Sequence, residues 1–425
     1  MCTRKTLAAV MLAALLGGAE TLPAQRKASE PKDAKMSPAA KVSPMSLEAR
    51  RTVVAARGMS SLSPADRWED ALISGNGKMG VLVFGRPLRE RVIFNHERFN
   101  LPQWRTPPQP PDIAHVMPEV KRLLLAGKYA EGLSLSFAAA RKAGHPGLRW
   151  TDSYHPGCAM DIVLPDGGEV GQYVRAVDFT TGEATVRWRD GRGDWLRRTF
   201  VSRADNVIVQ CLTAPSGGKL NCTISLDEKL EKLPRDVSFT RRVTPGLLLL
   251  RGRYSPQVSD GGFEVVMRVV VRGGRATARD DRLVVADARE VLLLTRLAWY
   301  RNLSDAEKKP VSRDLAALGD DYATLLRRHA EIHGRVFGRV TLDLGGGEDR
   351  MLSAEELRAA ATADRTYRAY LEKMFDMGRY VFLSSCGDWP PRLTGVWNGS
   401  WAPPWRGDFT TDANVNLAVA SGNIG

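Results

Sequence analysis

The sequence predicts a mainly β protein in which a large N-terminal β-sandwich is followed by helices. Short apolar runs separated by Gly, Asp and Asn recur from Trp68 to about Ala298, as expected for short strands joined by turns. From Leu315 the apolar residues recur at helical spacing instead. The change of period predicts a β domain over residues 61–310 and helices after it.

The strands of the β domain are predicted from apolar runs bounded by turn residues. The runs are VLVFG, ATVRWRDG, DNVIVQCLTA, LLLLRGRY, FEVVMRVVVRGG and VLLLTRLAWY. Their number and spacing favour two packed antiparallel sheets. Between Pro118 and Arg141 the pattern VKRLLLAGKYAEGL predicts a helical interruption of the strands.

Residues 311–345 are predicted to form a helical linker. The segment DYATLLRRHAEIHGRVF brings Leu325, His329 and His333 within a turn or two of one another on a helix. A short strand, VTLDL, is expected after it. Residues 354–385 predict two helices, the second with an apolar face. That face comprises Tyr370, Met374, Met377 and Val381.

The N-terminus is predicted to direct export. Arg4 and Lys5 precede an apolar run from Leu7 to Leu16, and Ala19 or Ala24 offers a cleavage site, so residues 1–24 have the form of a signal peptide. Periplasmic or extracellular localisation follows as the expectation. The apolar run is too short to span a bilayer, and no later stretch predicts a membrane span.

Residues 25–60 are predicted to form a basic disordered linker, because Lys, Ala, Ser and Pro without aromatic residues bury too little apolar surface. Part of the net charge of +13 lies in this segment. A solvated linker is favoured over a polyanion-binding tether, and no nucleic-acid-binding motif is present. The sequence does not indicate an oligomeric state.

Several motifs have an ordinary structural interpretation. The glycines of SGNGKMG have GxGxxG spacing but precede a strand, so they predict a tight turn and not a nucleotide site. His329 and His333 lack the HExxH order and a third ligand, so helix packing is favoured over metal binding. Four widely spaced cysteines remain after the signal, without a CxxC pair. No cofactor and no metal are expected.

The segment after residue 385 contains the strongest functional signal. Four of the ten tryptophans lie there among Pro and Gly, and indoles on surface loops provide flat platforms for the C–H faces of sugars. The candidate substrate-binding residues are Trp389, Trp397, Asn398, Trp401, Trp405 and Asp408. Asp412, Asn414 and Asn416 add polar groups suited to sugar hydroxyls. Turn and helix-capping roles are the alternative for each Asn and Asp.

At these residues the chain resembles glycoside hydrolase family 95, which includes α-L-fucosidases. Trp68, ALISGNGKMGVLVFG, Glu90 and the NHE of Asn95–Glu97 are similar to the start of that family's N-terminal domain. The segment MGRYVFLSSCGDWPPRLTGVWNGSWAPPWRGDFTT resembles its GRYLLISSS, LQGxWN and DYTTNIN elements. The resemblance implies that residues 346–425 are the first helices of an (α/α)6 barrel, which this chain leaves incomplete.

The resemblance also implies an inverting glycosidase, in which a Glu is the general acid while two asparagines and an Asp position and activate water. The two carboxyl groups of such a site lie roughly 6.5–9.5 Å apart. Without a gap, Asp412 and Asn414 match the asparagine pair; with two residues inserted, Asn414 and Asn416 do. The acid Glu is expected downstream of this chain, so the fragment is expected to be severely impaired as a hydrolase.

Two functions are therefore carried forward. The first is a secreted glycoside hydrolase that acts on non-reducing-end α-L-fucosyl or related residues of a glycan. The second is a non-catalytic carbohydrate-binding protein, in which the β domain and the Trp-containing loops hold a glycan without cleaving it.

Overall fold

The computed structural model describes residues 41–107, 109–145, 150–361, 364–411, 413–420 and 422. The predicted signal peptide and residues 25–40 of the predicted linker lie outside these ranges, as does Asp412. The chain divides into two compact units. The described part of the first lies within residues 106–150, and the described part of the second within 41–105 and 151–422.

The strands alternate with short turns along most of the chain. In chain order they are β1 (Val42–Pro44), β2 (Gly58–Ser61), β3 (Leu72–Gly75), β4 (Met79–Val83), β5 (Arg89–His96), β6 (Asn100–Leu101), β7 (Ser153–Tyr154), β8 (Cys158–Val163), β9 (Val170–Asp178), β10 (Glu183–Asp190), β11 (Gly193–Val201), β12 (Ile208–Thr213), β13 (Leu220–Asp227), β14 (Ser238–Thr244), β15 (Leu247–Arg253), β16 (Gly262–Arg272), β17 (Arg275–Arg279), β18 (Arg282–Ala288) and β19 (Glu290–Tyr300).

The α-helices lie mainly after the strands. They are α1 (Leu47–Arg50), α2 (Met117–Leu125), α3 (Tyr129–Lys142), α4 (Asp305–Lys308), α5 (Val311–Ala317), α6 (Tyr322–Phe337), α7 (Ala354–Ala360), α8 (Asp364–Ser385) and α9 (Asn414–Ala420). Short 3-10 helices cover Trp68–Asp70, Ala114–Val116, Gly347–Met351 and Pro404–Gly407. Helices α2 and α3 belong to the first unit and confirm the helical interruption predicted for this region.

Two large sheets form the sandwich of the second unit, as predicted. The first has the order β1-β9-β10-β11-β12-β19-β16-β15-β14, with β2 also paired to β9. The second has the order β17-β18-β13-β8-β5-β4-β3. Apart from the parallel β1–β9 pair, the ladders of both sheets are antiparallel.

The core lies between the two sheets, because alternate side chains of each strand point inward. Trp188 and Trp195 lie opposite each other on β10 and β11 and stack with ring centroids 5.6 Å apart. A second cluster covers the outer face of the larger sheet, where α5 and α6 pack. Tyr322 and Leu325 of α6 belong to it. The helices of the linker therefore pack against the outer face of the larger sheet.

The structure corrects the C-terminal part of the predicted linker. Residues 42–61 include β1, α1 and β2, and both strands pair with β9. Arg50 is 1% exposed and donates two hydrogen bonds to the Glu356 carboxylate, at 2.7 and 2.8 Å. The polar composition of residues 42–61 cannot predict that they are ordered, because their partners are backbone groups and a carboxylate far along the chain.

The helical segment also differs from expectation in two places. The expected strand VTLDL does not form, since residues 340–344 pair with no strand in the described part of the chain. Helix α8 buries Ala369, Glu372, Asp376 and Tyr380, whereas Met374 of the predicted apolar face is 49% exposed. Met377 and Val381 of the predicted face pack against the core of the sandwich, and Arg57 of the N-terminal segment pairs with Asp376 at 2.5 Å.

No helix within the described ranges is both long enough and apolar enough to cross a bilayer.

Candidate active site

The loop that follows α8 carries the predicted site residues and inserts part of itself into the sandwich. Trp397 and Trp401 are 4% and 2% exposed, and Asn398 is fully buried. The expectation that these three residues form part of an exposed rim is therefore wrong. The reason is tertiary: the sandwich provides a slot for this loop, which proline- and glycine-rich sequence alone places on the surface.

The glycines of SGNGKMG create that slot. Gly77 adopts a φ of +88° in the turn between β3 and β4, as expected for a tight turn. A Cβ on Gly80 would lie 2.8 Å from Nε1 of Trp397, and one on Gly75 would lie 3.1 Å from its Cζ2. The indole donates to the carbonyl of Ser74 at 3.0 Å. Both flanking glycines thus leave the space that Trp397 fills.

Asn398 is buried and holds the loop in place through hydrogen bonds. Its amide nitrogen donates to the carbonyls of Tyr154 and Ser400, at 2.8 and 2.7 Å. Its side-chain oxygen accepts from the backbone N–H of Ser400 at 2.9 Å, and its own backbone N–H donates to Oδ1 of Asn95 at 3.1 Å. These bonds occupy its amide, so its role is to position the loop and not to bind a ligand.

Trp389, Trp405 and Asp408 lie at the surface end of the same loop. Trp389 is 49% and Trp405 67% exposed. Trp405, Arg406 and Gly407 are consecutive residues with φ between +54° and +59°. Asp408 accepts from the Thr410 hydroxyl at 2.5 Å and from the Thr151 hydroxyl at 3.4 Å, so it orders the segment that leads to Asp412. Exposure of the two indoles agrees with the predicted platforms.

Two neighbouring cavities open beside these residues. The first has a volume of about 260 Å³ and the second about 290 Å³. Both are lined by Arg392 and Phe409. The first is also lined by Glu97, Arg98, Asn100, Trp299 and Trp389. The second is also lined by Pro391, Leu393, Asn414, Val415, Leu417 and Ala418. Asn414 and Asn416 are both exposed residues of α9, and Asn414 borders a cavity.

Arg392 separates the two cavities and is rigidly held. Its guanidinium lies between the rings of Tyr154 and Phe409, 4.5 and 4.2 Å from their centroids. It donates to the backbone carbonyls of Glu97, at 3.0 Å, and Gly407, at 3.3 Å. Burial lowers the pKa of Arg392 from its ordinary value. Cation–π contacts on two faces and two carbonyl acceptors fix its orientation before any ligand binds.

Glu97 is the buried carboxyl of the first cavity. It is 8% exposed, and among the described residues its Oε2 has no hydrogen-bond partner. The nearest cation is Nε of Arg98, 3.8 Å from Oε1. Burial and then the neighbouring Asp388 carboxylate raise the pKa of Glu97 above its usual value. A carboxyl held this way keeps its proton to higher pH than an exposed Glu.

Sequence reasoning missed Glu97, Arg392 and Phe409 as site residues. Glu97 was noticed as part of the NHE triplet, but its nearness to the Trp-containing loop follows only from the pairing of β5 with β4 and β8. Arg392 and Phe409 lie inside the segment selected for its tryptophans. Of the predicted catalytic residues, Asn414 and Asn416 lie at the start of α9, and Asp412 lies outside the described residues.

His329 and His333 pack in the protein interior, which is the role that the sequence favours. Both are 1% exposed, and their rings stack with centroids 5.3 Å apart. His333 shares a hydrogen bond with the carbonyl of Phe179 at 2.9 Å, and His329 accepts from the backbone N–H of Arg203 at 3.1 Å. Among the described residues, no group of three or more His, Cys, Asp or Glu is placed to hold a metal ion.

Comparisons with known proteins identify the two parts of this architecture. A model of the glycosyl hydrolase family 65 N-terminal domain matches residues 59–298, and a model of the glycosyl hydrolase family 95 catalytic domain matches residues 321–419. The chain has an N-terminal domain of the glycosyl hydrolase family 65 type, and the part that follows it is similar to the family 95 catalytic domain. The family 95 match includes the loop after α8 and both asparagines of α9.

Curated relatives of this chain have fucosidase names. Alpha-L-fucosidase 2 of Arabidopsis thaliana is 26% identical over 395 residues, which cover 84% of this chain and 45% of the relative. Probable alpha-fucosidase A of Aspergillus oryzae is 25% identical over 408 residues, which cover 85% and 53%. The chain thus spans about half the length of these relatives. A solved structure, a putative kojibiose phosphorylase from human microbiome, covers 78% of this chain and 42% of its own at 8% identity and a TM-score of 0.42.

Proposed function

We propose that this chain forms the sandwich domain and the first part of the catalytic domain of an inverting glycosidase, one that removes α-L-fucosyl or related residues from the non-reducing ends of glycans. The observation that carries the proposal is the position of Asn414. It borders the 290 Å³ cavity and lies within the family 95 catalytic match. The names of the curated relatives support the choice of sugar.

Asn414 belongs to the water-positioning pair in either alignment with the family. In the ungapped alignment its partner is Asp412, and in the shifted alignment it is Asn416. An amide oxygen can accept a hydrogen bond from the attacking water and orient it, whereas an ionised Asp can also remove a proton from that water. The cavity at Asn414 therefore holds the sugar whose bond is broken, with Arg392 and Phe409 as its shared wall.

Hydrolysis also requires a general acid, which we propose lies after α9 because of the resemblance to family 95. General acid–base help contributes typically about 10²- to 10⁴-fold to a rate. A polypeptide of these 425 residues is therefore proposed to bind the sugar while hydrolysing it far more slowly than an enzyme that also contains the acid.

The proposal is tested by measuring binding and turnover separately. The 425-residue chain is titrated with methyl α-L-fucoside by calorimetry, and hydrolysis of an aryl α-L-fucoside is followed in parallel. We expect saturable binding that Asn414→Ala weakens at least tenfold, with slow turnover. Failure of the wild-type chain to bind the fucoside would contradict the proposal. Binding of a glycan with no hydrolysis, even in a longer version carrying the acid, would favour the non-catalytic carbohydrate-binding protein.

Single substitutions decide between the two alignments. In a version that contains the general acid, Asp412→Asn abolishes turnover if Asp412 belongs to the pair, and Asn416→Ala is then tolerated. The reverse pattern assigns Asn416 to the pair. Near-normal rates in both variants would remove both residues from the mechanism.

We further propose that the protein is exported by the predicted signal peptide. The support is the order of the charged start, the apolar run and the small residues in 1–24. Expression in a bacterial host followed by N-terminal sequencing of the periplasmic fraction is expected to yield a chain that begins after Ala19 or Ala24. Recovery of uncleaved chain from the cytosol would contradict export.

A further inference from the structure

Two polar residues that line the cavity beside Glu97, Glu97 itself and Arg392, each have a buried polar atom without a partner. Oε2 of Glu97 and Nε of Arg392 are both buried, and neither has a hydrogen-bond partner among the described residues. Buried polar atoms in native proteins are nearly always paired, by protein or by a bound molecule. One atom is an acceptor when the carboxyl is ionised, and the other is a donor. A hydroxyl group, which both donates and accepts, suits this pair.

Aromatic surface surrounds these polar atoms. Trp389 is half exposed, and its ring centroid lies 6.2 Å from that of Phe409 with the planes inclined by 36°. Trp299, near the end of β19, lines the same cavity. Aromatic faces with few convergent polar groups are the usual composition of a small-ligand site. Pyranose rings match it, since they present C–H faces and hydroxyl edges.

Charge around the cavity favours a neutral ligand. Asp388 is paired with Lys78 at 2.9 Å, and Arg98 lies beside Glu97. An anionic ligand group beside Oε2 would face the buried Glu97 carboxyl, and two like charges are costly in a site with little water. A volume of about 260 Å³ is slightly below the range of roughly 300–1,000 Å³ for drug-sized ligands, so it suits one sugar ring.

The position of the cavity indicates which sugar it holds. It shares Arg392 and Phe409 with the cavity that Asn414 borders. Two adjacent cavities with a common wall suit two adjacent units of one glycan. Elements distant in sequence build the Glu97 cavity, because the β5–β6 turn supplies Glu97 and Arg98 while the loop after α8 supplies Trp389 and Arg392.

We propose that Glu97, Trp389 and Arg392 form a binding subsite for the neutral sugar that adjoins the residue being cleaved. This inference rests on the proposed function, because that function identifies which sugar is cleaved. The subsite itself is defined by a separate cavity. Trp389 provides the platform for the ring, and Glu97 and Arg392 bind its hydroxyls. The subsite selects the underlying sugar of the glycan, and Asn414 serves the terminal one.

The test uses separate probes for the two cavities on the 425-residue chain. Lactose, cellobiose and maltose probe the Glu97 cavity, and methyl α-L-fucoside probes the Asn414 cavity. We expect at least one disaccharide to bind, at least tenfold more weakly to Glu97→Gln and to Trp389→Ala, with fucoside affinity unchanged in both. Asn414→Ala is expected to show the opposite pattern. Glu131→Gln, an exposed residue of α3, is the matched control and binds all probes like the wild type.

A spectroscopic readout separates ligand contact from a folding defect. Sugar over the half-exposed indole shifts the tryptophan emission to shorter wavelength, and Trp389→Phe removes that shift while thermal unfolding stays as in the wild type. No disaccharide binding to the wild-type chain, or equal binding in Glu97→Gln and Trp389→Ala, overturns the subsite. Glu97-dependent disaccharide binding without any fucoside binding would retain the subsite and contradict the proposed fucosidase function.

Discussion

His155 and Trp401 stack face to face, with ring centroids 4.2 Å apart and planes inclined by 5°. His155 lies just after β7 in the sandwich, whereas Trp401 comes from the loop after α8, nearly 250 residues later. The imidazole also shares a hydrogen bond with the hydroxyl of Tyr254 at 2.9 Å. Part of the segment that is similar to the family 95 catalytic domain is therefore integral to the core of the N-terminal domain.

Trp401→Ala is expected to lower the free energy of unfolding by about 3–5 kcal/mol, because it leaves a cavity where a fully packed indole lay. Urea denaturation followed by circular dichroism measures the change. Trp405→Ala is the control, since its indole is 67% exposed, and we expect an effect within about 0.5 kcal/mol. Equal effects in the two variants would contradict the core role of Trp401.

Gly80→Ala is expected to destabilise the fold by about 1–3 kcal/mol through overpacking, since the new Cβ would lie 2.6 Å from Cγ1 of Val396 and 2.8 Å from Nε1 of Trp397. The displaced loop also carries Arg392, so we expect weaker sugar binding in the same variant. Gly319→Ala is the control for the effect of replacing a glycine with alanine, because nothing lies within 4 Å of its added Cβ. If Gly80→Ala unfolds and binds like the wild type, the slot does not depend on this glycine.

Glu90 and Arg197 form an ion pair in which both side chains are buried. Burial raises the pKa of Glu90, although Arg197 and backbone N–H groups oppose the shift. Arg197→Met leaves the buried Glu90 carboxyl without its ion-pair partner, and we expect it to lower the free energy of unfolding by about 3–5 kcal/mol. We expect the double variant Glu90→Gln/Arg197→Met to lose less than the sum of the single losses in urea denaturation, because neither partner is left charged alone. Additive losses would mean that the two groups are not coupled.

The buried histidines predict loss of stability in mild acid. Burial lowers the pKa of His329 to about 3 and that of His333 to about 4, and the nearby Arg203 acts in the same direction. Below about pH 6.5 the unfolded chain binds protons that the folded chain does not, so stability falls with decreasing pH until about pH 4. Each histidine contributes at most about 1.4 kcal/mol per pH unit.

His333→Gln is therefore expected to reduce the slope of unfolding free energy against pH between about 6.5 and 4, by up to one proton. Urea denaturation at a series of pH values provides the measurement. Stability above pH 7 should change by a constant offset only. An unaltered slope in the acid range would show that His333 titrates alike in the folded and unfolded chains.

The order of strands and helices was readable from the sequence because local patterning determines it. Runs such as VLVFG and FEVVMRVVVRGG became β4 and β16, and the long run before Cys386 became α8. The order in residues 42–61 was not readable, because β1 and β2 depend on pairing with β9 and Arg50 depends on Glu356. The composition of residues 42–61 does not reveal partners that lie so far along the chain.

The sequence alone determined the β-then-α organisation, the tight turn at Gly77 and the family 95 character of the segment around Asn414. Tertiary structure decided which tryptophans face solvent, since Trp397 and Trp401 fill space in the sandwich while Trp389 and Trp405 remain outside. It also decided that Glu97 lies with Trp389 and Arg392 around one cavity. Patterning specifies what each segment can form, but exposure and juxtaposition depend on the surfaces that other segments present, and those exist only in the folded chain.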